Sequence, residues 1–359
     1  MAYTTIDNPE LYFQTVLYTG DGAANHAITL PGDEDMQPDI VWIKNRDATD
    51  DHCLFDVVRG ATKLLSPNTT AMPTTDADTL DSFTSDGFQV DADVKVNTDT
   101  EKYVAWNWKA GTTSGITTDG NTTITPSSYS FDQTSGCSVL QYTGNGTDDA
   151  KVAHGLGAAP SMMIIKRLTT EIEGWPVFHQ KMDASSPEDY AMFTADTSGK
   201  EDNVLYWSDQ LPDSVNFTLG TSDKVNEGAS DNYICYCFAE KQGYSKFGSY
   251  TGNGDADGTF IYTGFKPMFF MLKSSSHAES WSMYDVKRQT YNPVSYYFPA
   301  ANSNAAEATG ATYAMDFLSN GIKLRGTGSG INGSGYTFIY MAFAEAPFVN
   351  SNGVPCNAR

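Results

Sequence analysis

Tyr103-Val-Ala-Trp-Asn-Trp108, Tyr233-Ile-Cys-Tyr-Cys-Phe238 and Phe338-Ile-Tyr-Met-Ala-Phe343 are three versions of one hexapeptide. Each is rich in aromatic and aliphatic residues, the composition of a strand covered on both faces. Alternate residues of a strand share a face. Val104, Trp106 and Trp108 therefore form one bulky face, matched by Ile234, Tyr236, Phe238 and by Ile339, Met341, Phe343. The opposite face is smaller but still apolar, which marks a central strand.

The residues upstream repeat as well. A turn opens each unit: Tyr18-Thr-Gly-Asp-Gly22, Tyr142-Thr-Gly-Asn-Gly146 and Tyr250-Thr-Gly-Asn-Gly254. Asp-Gly and Asn-Gly tolerate positive φ and are strong turn signals. An apolar run bounded by proline and lysine follows in each unit: Pro38 to Lys44, Pro160 to Lys166 and Pro267 to Lys273. Then come short strands starting at His52, Trp175 and Trp281, and an asparagine before the hexapeptide, Asn97, Asn226 and Asn332. Turn tyrosine and hexapeptide start are 85, 91 and 88 residues apart. Ordered landmarks at near-constant spacing mean an internal repeat of domain size.

Many short strands with frequent turn signals predict an all-β fold of three tandem β-sandwiches, jelly-roll or concanavalin-like. Residues 1–110 form the first, 111–136 a Thr/Ser/Gly-rich connector or extra hairpin, 137–243 the second, and 244–359 the third with a short polar tail. Trp42, Ile164 and Phe270 are expected at matching places in the three cores. The loops Asp47–Asp51, Thr169–Gly174 and Ser274–Glu279 differ between copies and are expected to carry recognition.

The formal charge is −22, which disfavours nucleic acid and anionic membranes. No stretch is apolar enough for membrane insertion by a helix. The amino terminus lacks the pattern of a secretory signal, so synthesis in a reducing cytoplasm is expected. Cys53, Cys137, Cys235, Cys237 and Cys356 make an odd, irregularly spaced set, read as free thiols.

No catalytic residue is assigned. His26, His52, His154, His179 and His277 have no metal-ligand spacing, and the glycines from Gly326 to Gly335 precede a strand rather than a helix. The acidic clusters, such as Asp76/Asp78/Asp81 and Asp255/Asp257, are read as solvated surface. They leave room for weakly bound Ca²⁺ and imply no other cofactor or metal. Ligand-binding candidates are exposed aromatics: Tyr206 and Trp207 in a loop-like stretch found only in the second copy, and Trp175 and Trp281, whose shared repeat position also suits packing.

Tyr3-Thr-Thr-Ile-Asp-Asn-Pro-Glu-Leu-Tyr-Phe-Gln14, His154-Gly-Leu-Gly-Ala-Ala-Pro160, Gly243-Tyr-Ser-Lys-Phe-Gly-Ser-Tyr-Thr-Gly252 and Tyr340-Met-Ala-Phe-Ala-Glu345 resemble an uncharacterised repeat family of predicted structural proteins of marine bacteriophages. The resemblance covers nearly the whole chain. It implies a virion component, a tail fibre or receptor-binding appendage subunit, with head decoration or cement protein as the alternative; a glycan-degrading enzyme is a third reading outside that class. The expected partners are other virion proteins, a host surface glycan or protein, and further copies of the chain in a trimer.

Overall fold

A computed structural model describes residues 2–170, 174–297 and 301–357. The fold is all-β and sandwich-like, built from antiparallel sheets with short helical turns between them. In the first copy the strand Lys102–Trp108 lies between Phe13–Thr19 and Ile40–Asn45, and Cys53–Asp56 completes the sheet. The same order recurs further along the chain. Cys137–Thr143, Asn232–Phe238, Met162–Arg167 and Pro176–His179 form one such set, and Ser245–Thr251, Thr337–Pro347, Phe265–Ser274 and Ser282–Asp285 the other. The hexapeptide is the central strand each time, as its two apolar faces require.

A smaller sheet covers one face of each set. It comprises His26–Thr29, Gly87–Val90 and Leu80–Thr84 in the first copy, Ala150–Ala153 and Asn216–Leu219 in the second, and Phe260–Tyr262, Gly321–Leu324 and Met315–Leu318 in the third. The second copy's main sheet is widened at both edges. Ser128–Asp132, within the connector, pairs with Cys137–Thr143, and Tyr190–Phe193 and Glu201–Asp202 extend the far side.

The turn and the asparagine form one clasp. Asn97, Asn226 and Asn332 each end a single helical turn and are buried. Each Oδ1 accepts from the backbone N–H of Asp21, Asn145 or Asn253, and each Nδ2 donates to the carbonyl of Ala23, Thr147 or Asp255, at 2.8–3.0 Å. The following glycines, Gly22, Gly146 and Gly254, have φ of 65°, 66° and 71°, where a Cβ is disfavoured. Tyr18, Tyr142 and Tyr250 donate to the carbonyls of Val96, Val225 and Ile331 at 2.6–2.8 Å. Their rings stack on Tyr103, Tyr233 and Phe338 at 5.0, 5.1 and 4.9 Å.

The other face of each main sheet turns away from its own small sheet and toward the other two copies. Trp42, Trp106, Trp108, Ile164, Tyr236, Phe238, Met271, Met341 and Phe343 belong to one buried cluster drawn from all three copies. Register corrects one expectation. Trp42 pairs with Trp106, Ile164 with Tyr236 and Met271 with Met341. Phe270 pairs with Ala342, one residue out of step, so the pleat turns it to the opposite face. Met271, not Phe270, is the partner of Trp42 and Ile164.

Candidate functional site

At the last position of the three hexapeptides, Trp108, Phe238 and Phe343 face one another. Their ring centroids are 6.2, 5.7 and 5.9 Å apart, a near-equilateral triangle about a local threefold axis. Contacts at this spacing are within the favourable range for aromatic pairs. The three copies thus close on each other rather than stacking in a row.

The seams follow the same cyclic order. Tyr236 Oη of the second copy donates to Asp56 Oδ2 of the first at 2.8 Å. Trp106 Nε1 of the first donates to Asp285 Oδ2 of the third at 3.2 Å. His179 of the second donates through Nε2 to the carbonyl of Tyr340 in the third at 3.0 Å. Asp56 and Asp285 are fully buried beside Arg59 and Arg288, at 2.6 and 2.5 Å. The spacing Asp56-Val-Val-Arg59 recurs as Asp285-Val-Lys-Arg288, a repeat signal in the sequence that marks both buried pairs. Arg46 and Arg288 meet Glu307 at 2.8 and 3.1 Å and lock the first copy to the third.

Two of the three strand-end lysines serve the seams too. Lys166 donates to the carbonyl of Thr70 in the first copy, and Lys273 to that of Thr197 in the second, both at 2.8 Å. Lys44 donates to the carbonyls of Asn45 and Ala48. Burial lowers Lys44 and Lys273 to about 8, because water no longer solvates the charge.

The aromatic candidates are not exposed. Trp175 and Trp281 are buried, and their indole N–H groups donate across seams to Thr69 and Phe193 carbonyls at 2.9 and 2.8 Å. Tyr206 and Trp207 are buried as well, which corrects the expectation of an exposed loop. They lie on the helix Val204–Trp207, capped by Asn203, and Trp207 Nε1 donates to the Tyr190 carbonyl at 3.0 Å. That one turn directs both rings inward and leaves Val204 and Leu205 outside. The loops expected to carry recognition are partly structural. Asp47 accepts from the Lys102 N–H, Asp51 from Asn68, and Ser274 and Ser275 are buried. Part of Thr169–Gly174 lies outside the described residues. No group of three or more metal-ligating side chains occurs among the described residues. All five cysteines are free, and Cys356 alone is not fully buried.

Two surface grooves lie where the second and third copies meet. One is lined by Lys181, Asp183, Lys200, Ser249, Ser276 and Thr337; its Lys200 is paired with Asp183 and sits 3.8 Å from the Tyr190 ring centroid. The other, of about 260 Å³, is lined by Tyr3, Glu240, Gln242, Lys246, Tyr262 and Thr263. Spacing within the repeat could not reveal it, because Tyr3 precedes the first of the repeated landmarks, the turn at Tyr18.

Fold and seams together define an all-β protein of three like sheets closed on one shared core. The chain belongs to the family described as Domain of unknown function (DUF7483), whose family model matches residues 8–347 and so spans all three copies. No curated protein and no solved structure matches it.

Proposed function

We propose that this chain is a non-catalytic structural part of a bacteriophage particle, exposed as a receptor-binding knob or appendage subunit. The triangle of Trp108, Phe238 and Phe343 is the observation that supports this reading most. It makes one chain a rigid threefold body whose large apolar faces are consumed internally. Contacts with partners then fall to rims and loops, where recognition on a stiff scaffold usually lives. Threefold geometry within one chain supports a proposal in which a single chain already presents three like faces, and the expected trimer of chains would multiply them. The charge of −22 suits a soluble, exposed part and makes adhesion to anionic cells depend on salt or Ca²⁺.

Immuno-electron microscopy of purified virions tests the reading. Label at a tail tip or appendage supports it. Label spread over the head supports the cement alternative, and no label on intact particles ends both.

A further inference from the structure

We propose that the groove between the amino-terminal segment and the strand Phe260–Tyr262 binds a neutral oligosaccharide. The inference rests on the appendage reading and names the chemistry of its receptor. Tyr262 is 53% exposed and Phe260 44%, two residues apart on the outer face of that strand. Ile261 between them is buried, so the strand is properly seated and its rings face outward by design of the pleat.

The Tyr262 ring has a fixed neighbour in Tyr3. Tyr3 donates to the Gly264 carbonyl at 2.7 Å, and its hydroxyl lies 3.4 Å from that of Tyr262. Gly264 has φ +82°, and a Cβ there would come within 2.7 Å of the Tyr3 hydroxyl. A side chain at this position would push the Tyr3 hydroxyl out of its place. On the linker side, Glu240 and Lys246 neutralise each other at 2.6 Å. Gln242 is exposed, and an amide both donates and accepts.

An aromatic face beside groups that donate and accept, with no net charge, is complementary to a sugar ring. Such a ring has a C–H face and a rim of hydroxyls that are donors and acceptors at once. About 260 Å³ holds on the order of one sugar unit, with the rest of the chain running over Phe260. A peptide adding to the sheet is less well served, since the edge strand is only three residues long. The lysine-lined groove is walled by charged Lys181, Asp183 and Lys200 and by serines, with no aromatic ring among its lining residues, and carries less of this complementarity.

Isothermal titration of the full chain with maltohexaose, cellohexaose, laminarihexaose, mannohexaose and N-acetylchitohexaose, in saline Ca²⁺ buffer, tests the site. At least one is expected to bind, with affinity falling about tenfold or more in Tyr262→Ala. Gln242→Ala is expected to weaken binding, and Tyr291→Ala, an exposed tyrosine elsewhere, to leave it unchanged. Unaltered circular dichroism of Tyr262→Ala shows that its fold is intact. Binding by none of the five, or equal binding by Tyr262→Ala, overturns the inference. So does Tyr262-dependent adhesion to host cells that survives periodate oxidation of their glycans, which would mean a protein receptor. Sugar binding and virion location fail independently, so a labelled virion protein that binds no sugar sinks only the site.

Discussion

Tyr236 donates its hydroxyl hydrogen to Asp56 across the seam between the second and first copies, and Arg59 holds the same carboxylate oxygen. Trp106, Asp285 and Arg288 form the counterpart between the first and third copies. Two chemically different donors at one repeat position thus meet the same buried acceptor. Removing that acceptor strands a buried guanidinium. Asp56→Ala is expected to cost about 3–5 kcal/mol in urea unfolding, whereas Tyr236→Phe, which removes only the donor, should cost about 1 kcal/mol.

The shared core should make the three copies unfold together. Tryptophan fluorescence and far-ultraviolet circular dichroism are expected to give coincident transitions. Phe238→Ala should lower the single midpoint by an amount corresponding to about 3–5 kcal/mol. A variant that melts the second copy alone, leaving the others folded, would contradict this.

Asn97, Asn226 and Asn332 make the same clasp in three places. Alanine at Asn226 or Asn332 leaves turn N–H and carbonyl groups without partners. Each change is expected to cost at least about 2 kcal/mol, by the same denaturation assay. A cost near zero at one site would show that its turn is held by other contacts.

His179 gives a pH dependence with a definite sign. Burial lowers its pKa from 6.5 to about 4. Its Nε2 donates to Tyr340 and its Nδ1 accepts from the Lys181 N–H at 3.0 Å, so the neutral ring is fully used. Between pH 6.5 and 4 the unfolded chain binds the extra proton and the folded one does not. Stability is present above pH 6.5 and falls as the pH drops toward 4. His154, also lowered to about 4 by burial, adds to the effect. His179→Gln should flatten part of that slope in unfolding measurements made across this range.

Thiol labelling offers a further check. Cys53, Cys137, Cys235 and Cys237 are buried, and Cys356 is partly exposed. A thiol reagent at neutral pH is expected to modify Cys356 alone in the native protein, slowly, because burial raises its pKa. Denaturation should release the other four.

The repeat and its strands were legible because turns and pleats are local. Tyr-Thr-Gly-Asn-Gly sets a turn wherever it occurs, and the hexapeptide reads as a central strand from its own six residues. What covers the second face of that strand is not local. Nothing near Trp108 in the chain indicates that Phe238 and Phe343 will meet it, so the sequence showed that both faces are covered but not that the bulky one is the contact among three copies. Tyr206 and Trp207 were misplaced for a similar reason. Position in an insertion suggests exposure, but a single capped helical turn rolled both rings under Phe193 and Phe178. The groove beside Tyr262 was hidden because its walls come from residues 3, 242 and 262, which no spacing connects.

Asp7 accepts from the backbone N–H of Ser351 at 2.7 Å, so the two ends of the closed body touch. A ring whose ends meet has no obligatory first member. Joining the ends by a short linker and opening the chain within residues 113–122, between the first and second copies, would leave every main-sheet strand pairing intact. The order in which the copies are synthesised is then separable from the structure they reach, and a circularly permuted chain should fold to the same body.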